Sequence, residues 1–144
     1  MRRFAGDGGS AIVEFVFLAV LMLVPVVYLV LTLGRLQAAS FAAQGAAREA
    51  GRAFVTARDE VVGRERADAA AAIAFEDQGF IDQRLIRLQV DCAGACLVPD
   101  ARVVIRTSVQ VPLPAVPRLV DRFFPARIEV TARHVATVDR FGAR

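Results

Sequence analysis

Lysine, asparagine and tryptophan are missing from this 144-residue chain, and it has a single histidine. All 18 basic residues are therefore arginine, a usage that looks like the codon bias of a GC-rich genome and not a binding device. The net charge is only +3. From Leu36 onward 15 arginines face 13 acidic residues, so no dense basic patch points to nucleic acid. His134 has no companion with which to hold a metal. There is no phosphate-cradling loop, no recognisable carboxylate pair and no serine or cysteine nucleophile signature. Gly6-Asp7-Gly8-Gly9 leads into an apolar run and is no dinucleotide fingerprint. These gaps argue against an enzyme and imply no cofactor.

Another absence organises the chain. From Phe15 to Leu33 there is no charged residue. As a helix that stretch would span roughly 29 Å, about the hydrocarbon thickness of a bilayer. Hydrophobic residues make up 56% of the chain, and this run accounts for much of the excess. Arg2 and Arg3 precede it and favour a cytoplasmic N-terminus. A secretory signal peptide is one reading, but its apolar core should be shorter and end at a small-residue cleavage site. An uncleaved single-span anchor is another.

Glu14 complicates both. A carboxylate inside hydrocarbon costs on the order of 2.5–3.5 kcal/mol at mid-span and less near an end. A capping box would need Ser-x-x-Glu, and Ser10-Ala11-Ile12-Val13-Glu14 is one residue too long. The helix dipole would offset only about 0.3–1 kcal/mol. A cut between Gly9 and Ser10 would change the balance. Ser10 would carry a free amino group and Glu14 would be the fifth residue. An ion pair between them, within one chain or between staggered neighbours, would neutralise both and set an axial register.

Gly8-Gly9-Ser10-Ala11-Ile12-Val13-Glu14 followed by the apolar run resembles the class III signal cut by prepilin peptidase. The stretch from Gly8 to about Phe54 resembles the N-terminal region of TadE-like proteins, minor pseudopilins of the tight-adherence (Flp) pilus system. The features that carry the likeness are Ser10, Ala11, Val13-Glu14-Phe15, Pro25, Gly34-Arg35 and Ala46-Ala47-Arg48-Glu49-Ala50. The resemblance implies other pilins or pseudopilins, inner-membrane pilus assembly proteins and prepilin peptidase as partners, along with the lipid bilayer. Its first mature residue would be serine, not the phenylalanine common in major type IV pilins. The alternative is a single-span envelope binding or sensor protein with no pilus role.

The rest of the chain reads as one small domain. Residues 1–9 are expected to be a leader, 10–34 a transmembrane helix, 35–57 a helical neck and 58–144 an exported head in the cell envelope. Ala39, Ala42, Ala43, Ala46, Ala50 and Ala53 form a small-residue stripe, which would pack on the protein's own domain or on a neighbour. The polar residues 55–65 predict a frayed end and connection. A second helix is expected over 67–78, with Ala71, Phe75 and either Ala72 or Ile73 facing inward, and Gly79 as its stop. Period-two alternation predicts three strands, at 85–92, 102–111 and 127–138, the first two as an antiparallel hairpin. A proline-rich segment with Phe123-Phe124 crosses between the second and third. The expected fold is α+β: a long N-terminal helix running into a domain with a second helix and a small antiparallel sheet.

Cys92 and Cys96 enclose Ala93-Gly94-Ala95. In an exported domain a disulfide is the default. Free thiols are the other reading, and C-x-x-x-C differs from the C-x-x-C redox spacing.

Overall fold

A computed structural model describes residues 8–113 and 127–140. Helix α1 runs from Gly8 to Val55 without interruption, through Pro25. Its 48 residues make a rod of about 72 Å. Helix α2 covers Glu60–Glu76, and a single 3₁₀ turn covers Gln83–Leu85. Three strands follow, β1 (Ile86–Cys92), β2 (Arg102–Pro112) and β3 (Arg127–Thr137). They form one antiparallel sheet in the order β1-β2-β3. The fold is the expected α+β arrangement, and the three strand boundaries fall within a residue of their sequence positions. Residues 1–7 of the expected leader (1–9) and most of the proline-rich crossing, including Phe123-Phe124, lie outside the described residues.

The second half of α1 is a core element. Ala39, Ala42, Ala43, Ala46, Ala47, Ala50 and Phe54 are almost completely buried. The stripe therefore packs on the protein's own domain. Its membership differs slightly from the sequence reading, because Ala47 is buried and Ala53 only half-buried. Small side chains let the helix lie close to both of its neighbours. It crosses the inner face of β2 and β3 and runs alongside α2. At Gly51 a Cβ would stand 3.2 Å from His134 Cδ2 and 3.3 Å from Ala136 Cβ, so helix and sheet meet there at backbone distance.

Helix α2 begins a full turn and more before the expected Ala67. Asp59 is the reason. Its Oδ1 accepts the Val62 N–H at 2.8 Å, an N-cap that satisfies one of the orphan donors of the first turn. Arg58-Asp59-Glu60 is thus a helix start and not a frayed connection, and only residues 56–59 join the two helices. Gly63, Ala67, Ala71 and Phe75 are buried at four-residue spacing, a ridge that fits against α1. Ile73, one of two candidates for the inner face, is instead 60% exposed, and Ala72 is half-buried. Gly79 ends the helix as expected, with φ 78°. The Phe80 N–H returns to the Phe75 carbonyl at 3.0 Å and the Gly79 N–H to Glu76 at 2.8 Å. This is a Schellman closure, and it buries Phe80 beside Phe75.

In the sheet, Val103, Ile105, Thr107, Val109 and Val111 on β2 point toward the helices and are all buried. They pair across to β3 as Val103–Ala136, Ile105–His134, Thr107–Ala132, Val109–Val130 and Val111–Ile128. His134 is therefore an inner-face residue, half-buried opposite Ile105. Ile128, expected on the inner face, is 39% exposed: it stands near the end of the edge strand β3, while its partner Val111 on the central strand β2 is buried.

Candidate functional site

Among the described residues nothing packs against the first half of α1. Every large hydrophobic residue from Ile12 to Leu33 is substantially exposed: Phe15 72%, Met22 70%, Val24 62% and Leu31 60%. The helix is long and apolar enough to cross a membrane, and none of its most apolar window is buried in the protein. That bareness separates it from the core helix of a soluble domain, which would pass the same test of length and composition. The same helix, a few residues on, is the centre of the domain core. The change occurs between Leu33, 49% exposed, and the fully buried Ala39. A cut after the apolar run would fall inside an unbroken helix just ahead of the core stripe.

Polar groups within the bare half are few. The Thr32 hydroxyl donates to the Tyr28 carbonyl at 2.8 Å, which hides it on its own helix. Glu14 is exposed, and it has no hydrogen bond or ion pair among the described residues. Gly9 and Ser10 stand in the first turn of α1. The structure thus brings the three sequence-marked residues onto one helical end, with Glu14 four positions after Ser10.

Arg35 marks the other end of the bare stretch. Its guanidinium carbon lies 4.7 Å from the centre of the Phe80 ring, a cation–π contact, and Nη1 is 3.8 Å from where a Gly79 Cβ would be. The contact couples the end of the apolar run to the turn after α2. Sequence reasoning noted Gly34-Arg35 but did not find this partner, since Phe80 lies 45 positions away in the chain.

Cys92 and Cys96 form a disulfide, with Cα atoms 5.3 Å apart. It sits at the opposite end of the domain. The Cys96 N–H donates to Glu60 Oε1 at 3.4 Å, which ties the β1–β2 loop to the start of α2. On the outer face of the sheet, Arg87, Arg106, Arg133 and Glu129 line an open depression of about 580 Å³. Arg106 there is paired with Asp91. Among the described residues no three His, Cys, Asp or Glu side chains are grouped so as to hold a metal.

Residues 9–52 match the family described as TadE-like protein. Over its first helix the chain is similar to the TadE-like family. The matched stretch takes in the bare apolar half and most of the buried stripe of α1. Helix α2 and the sheet lie beyond it. No curated protein and no solved structure matches the chain. The matched segment presents apolar surface at one end and contributes the buried alanine stripe of the domain core at the other.

Proposed function

We propose that the chain is a minor pseudopilin-like subunit of a tight-adherence (Flp) pilus or related secretion machine, working by assembly and not by catalysis. The observation that carries this reading is a single unbroken helix, similar to the TadE-like family, with a membrane-length bare half and a carboxylate, Glu14, near its N-terminal end. In this reading residues 1–9 are a leader cut by prepilin peptidase between Gly9 and Ser10. Residues 10–34 cross the inner membrane with the N-terminus cytoplasmic, 35–57 form the neck, and 58–144 form the extracytoplasmic head. The Ser10 amino group and Glu14 neutralise each other or the equivalent groups of adjacent pilins, which sets the axial register of the packed helices. The disulfide in the head fits an oxidising compartment.

The mature N-terminus tests this directly. Sequencing by Edman degradation or mass spectrometry from cells with prepilin peptidase should begin at Ser10. An intact leader in such cells sinks the processed-subunit reading. Glu14→Ala should abolish copurification with other pilus components while the protein still inserts in the membrane. Unchanged association would leave a plain single-span anchor carrying an envelope binding or sensor domain.

A further inference from the structure

The two helices of the domain are antiparallel. Phe54, late in α1, meets Gly63, early in α2, and Arg35, early in the buried half of α1, meets Gly79 and Phe80 just past the end of α2. The turn after α2 is consequently held level with Arg35. Arg35 stands two residues, about 3 Å of helical rise, beyond Leu33, the last residue of the uncharged run. Whatever covers the apolar half of α1 therefore ends beside this turn. The turn is also rigid at its root, because Phe80 is 6% exposed and clamped by the Schellman closure. The next residue, Ile81, is 76% exposed, more than any other large hydrophobic residue described.

The geometry points to a second, shallow membrane contact: the turn at Gly79–Ile81 rests on the bilayer surface, with Ile81 dipping into the interfacial layer of phospholipid beside α1. The inference rests on α1 crossing a bilayer, and it does not require a pilus. The argument is one of continuity. The apolar surface of α1 and the Ile81 side chain belong to one end of the head, and Arg35 between them has a long apolar stem and a charged end suited to the headgroup level. Charge is not what holds the contact. Asp77 and Asp82 flank the turn, Asp82 accepting the Arg84 backbone N–H at 3.1 Å, and their charges offset those of Arg35 and Arg84. The occupant is therefore the zwitterionic phospholipid interface and not an acidic lipid patch. A head held at two points cannot swing freely about the helix, so its orientation relative to the membrane is set before any partner binds.

The absence of tryptophan makes the test clean. Single-tryptophan variants Ile81→Trp, Val61→Trp and Leu29→Trp of the full chain are placed in phosphatidylcholine nanodiscs, with and without lipids brominated high on the acyl chain. Val61 is 69% exposed and lies at the far end of the head, so it carries the same reporter at similar exposure away from the membrane. Leu29→Trp should be strongly quenched. Ile81→Trp should emit at shorter wavelength than Val61→Trp and lose most of its intensity to the brominated lipid, while Val61→Trp loses none. If Leu29→Trp is quenched and Ile81→Trp behaves like Val61→Trp, the surface contact is wrong while the span stands. A blue-shifted Ile81→Trp that resists brominated lipid means a protein surface covers it, which also overturns the proposal. An unquenched Leu29→Trp removes the span, and the contact with it.

Discussion

The Thr107 hydroxyl donates to the Ala43 carbonyl at 2.8 Å, in the middle of the interface between β2 and α1. Thr107 is 2% exposed and is the single buried polar side chain among the described residues. It stands in the run of inner-face positions otherwise filled by valine and isoleucine. A buried hydroxyl without a partner would be costly. This one finds its partner in a helix carbonyl, which has a second lone pair beyond the one used within the helix.

Thr107→Val keeps the shape and removes the bond. The Ala43 carbonyl keeps its helical partner, so the expected loss is about 1 kcal/mol of stability. Thr107→Ala should cost more, because it also leaves a gap against Ala43. Thr131→Val on the exposed outer face of β3 is the control and should change little. Unfolding midpoints of the three variants in the same detergent check the order. If Thr107→Val behaves like Thr131→Val, the bond contributes nothing.

Two glycines should respond to alanine with opposite signs. At Gly45 a Cβ meets nothing within 4 Å, so Gly45→Ala should stabilise the helix by about 0.5–1 kcal/mol. At Gly63 it would stand 3.1 Å from the Phe54 ring and 3.4 Å from Ala57 Cβ. Phe54 is completely buried and cannot retreat. Gly63→Ala should therefore give a net loss, since overpacking costs roughly 1–3 kcal/mol against a smaller gain in helix propensity. Thermal unfolding of both variants distinguishes the cases, and a gain at both positions would mean α1 and α2 are not closely docked.

Asp59 supplies a pH dependence. The Val62 N–H, with a smaller contribution from the Arg58 guanidinium, holds its carboxyl below the ordinary 3.8. A group whose native pKa is depressed stabilises the fold above its unfolded value and loses that contribution as pH falls through the native one. Above the ordinary carboxyl value of 3.8 this contribution is fully present, and it is lost as pH falls below that value, so part of the acid destabilisation there should belong to this cap. Asp59→Asn retains a capping oxygen but does not titrate, so its loss of stability over the same range should be smaller. Asp59→Ala should be less stable than the parent at neutral pH. Equal acid slopes for the parent and Asp59→Asn would remove Asp59 from the account.

Much of this architecture was legible in the residues themselves. An uncharged run from Phe15 to Leu33 needs no tertiary context to read as membrane-length, because the measure is simply helical rise against hydrocarbon thickness. Strand alternation is equally local, and β1, β2 and β3 stand where the period-two pattern places them. Gly79 as a helix stop follows from its backbone freedom. The start of α2 is less legible, because arginine and acidic residues suit a loop as well as a helix, while Asp59 as an N-cap is a matter of one side chain turning back on a backbone N–H.

Other features were decided by the packing alone. Six alanines at three- and four-residue spacing say only that something comes close; that the something is this chain's own sheet and second helix depends on where β2 and α2 return in space. Thr107 and His134 are set inward by the alternation of their own strands, but what they meet there depends on the same return. The Arg35–Phe80 contact joins residues whose sequence positions carry no sign of each other. Which surface of α1 is apolar and which of its residues are small can be read from the residues alone, because those are properties of side chains in a helix of known period. Which part of that surface enters the core and which is left bare emerges only on folding, because that division depends on how far along α1 the α2 ridge and the sheet extend.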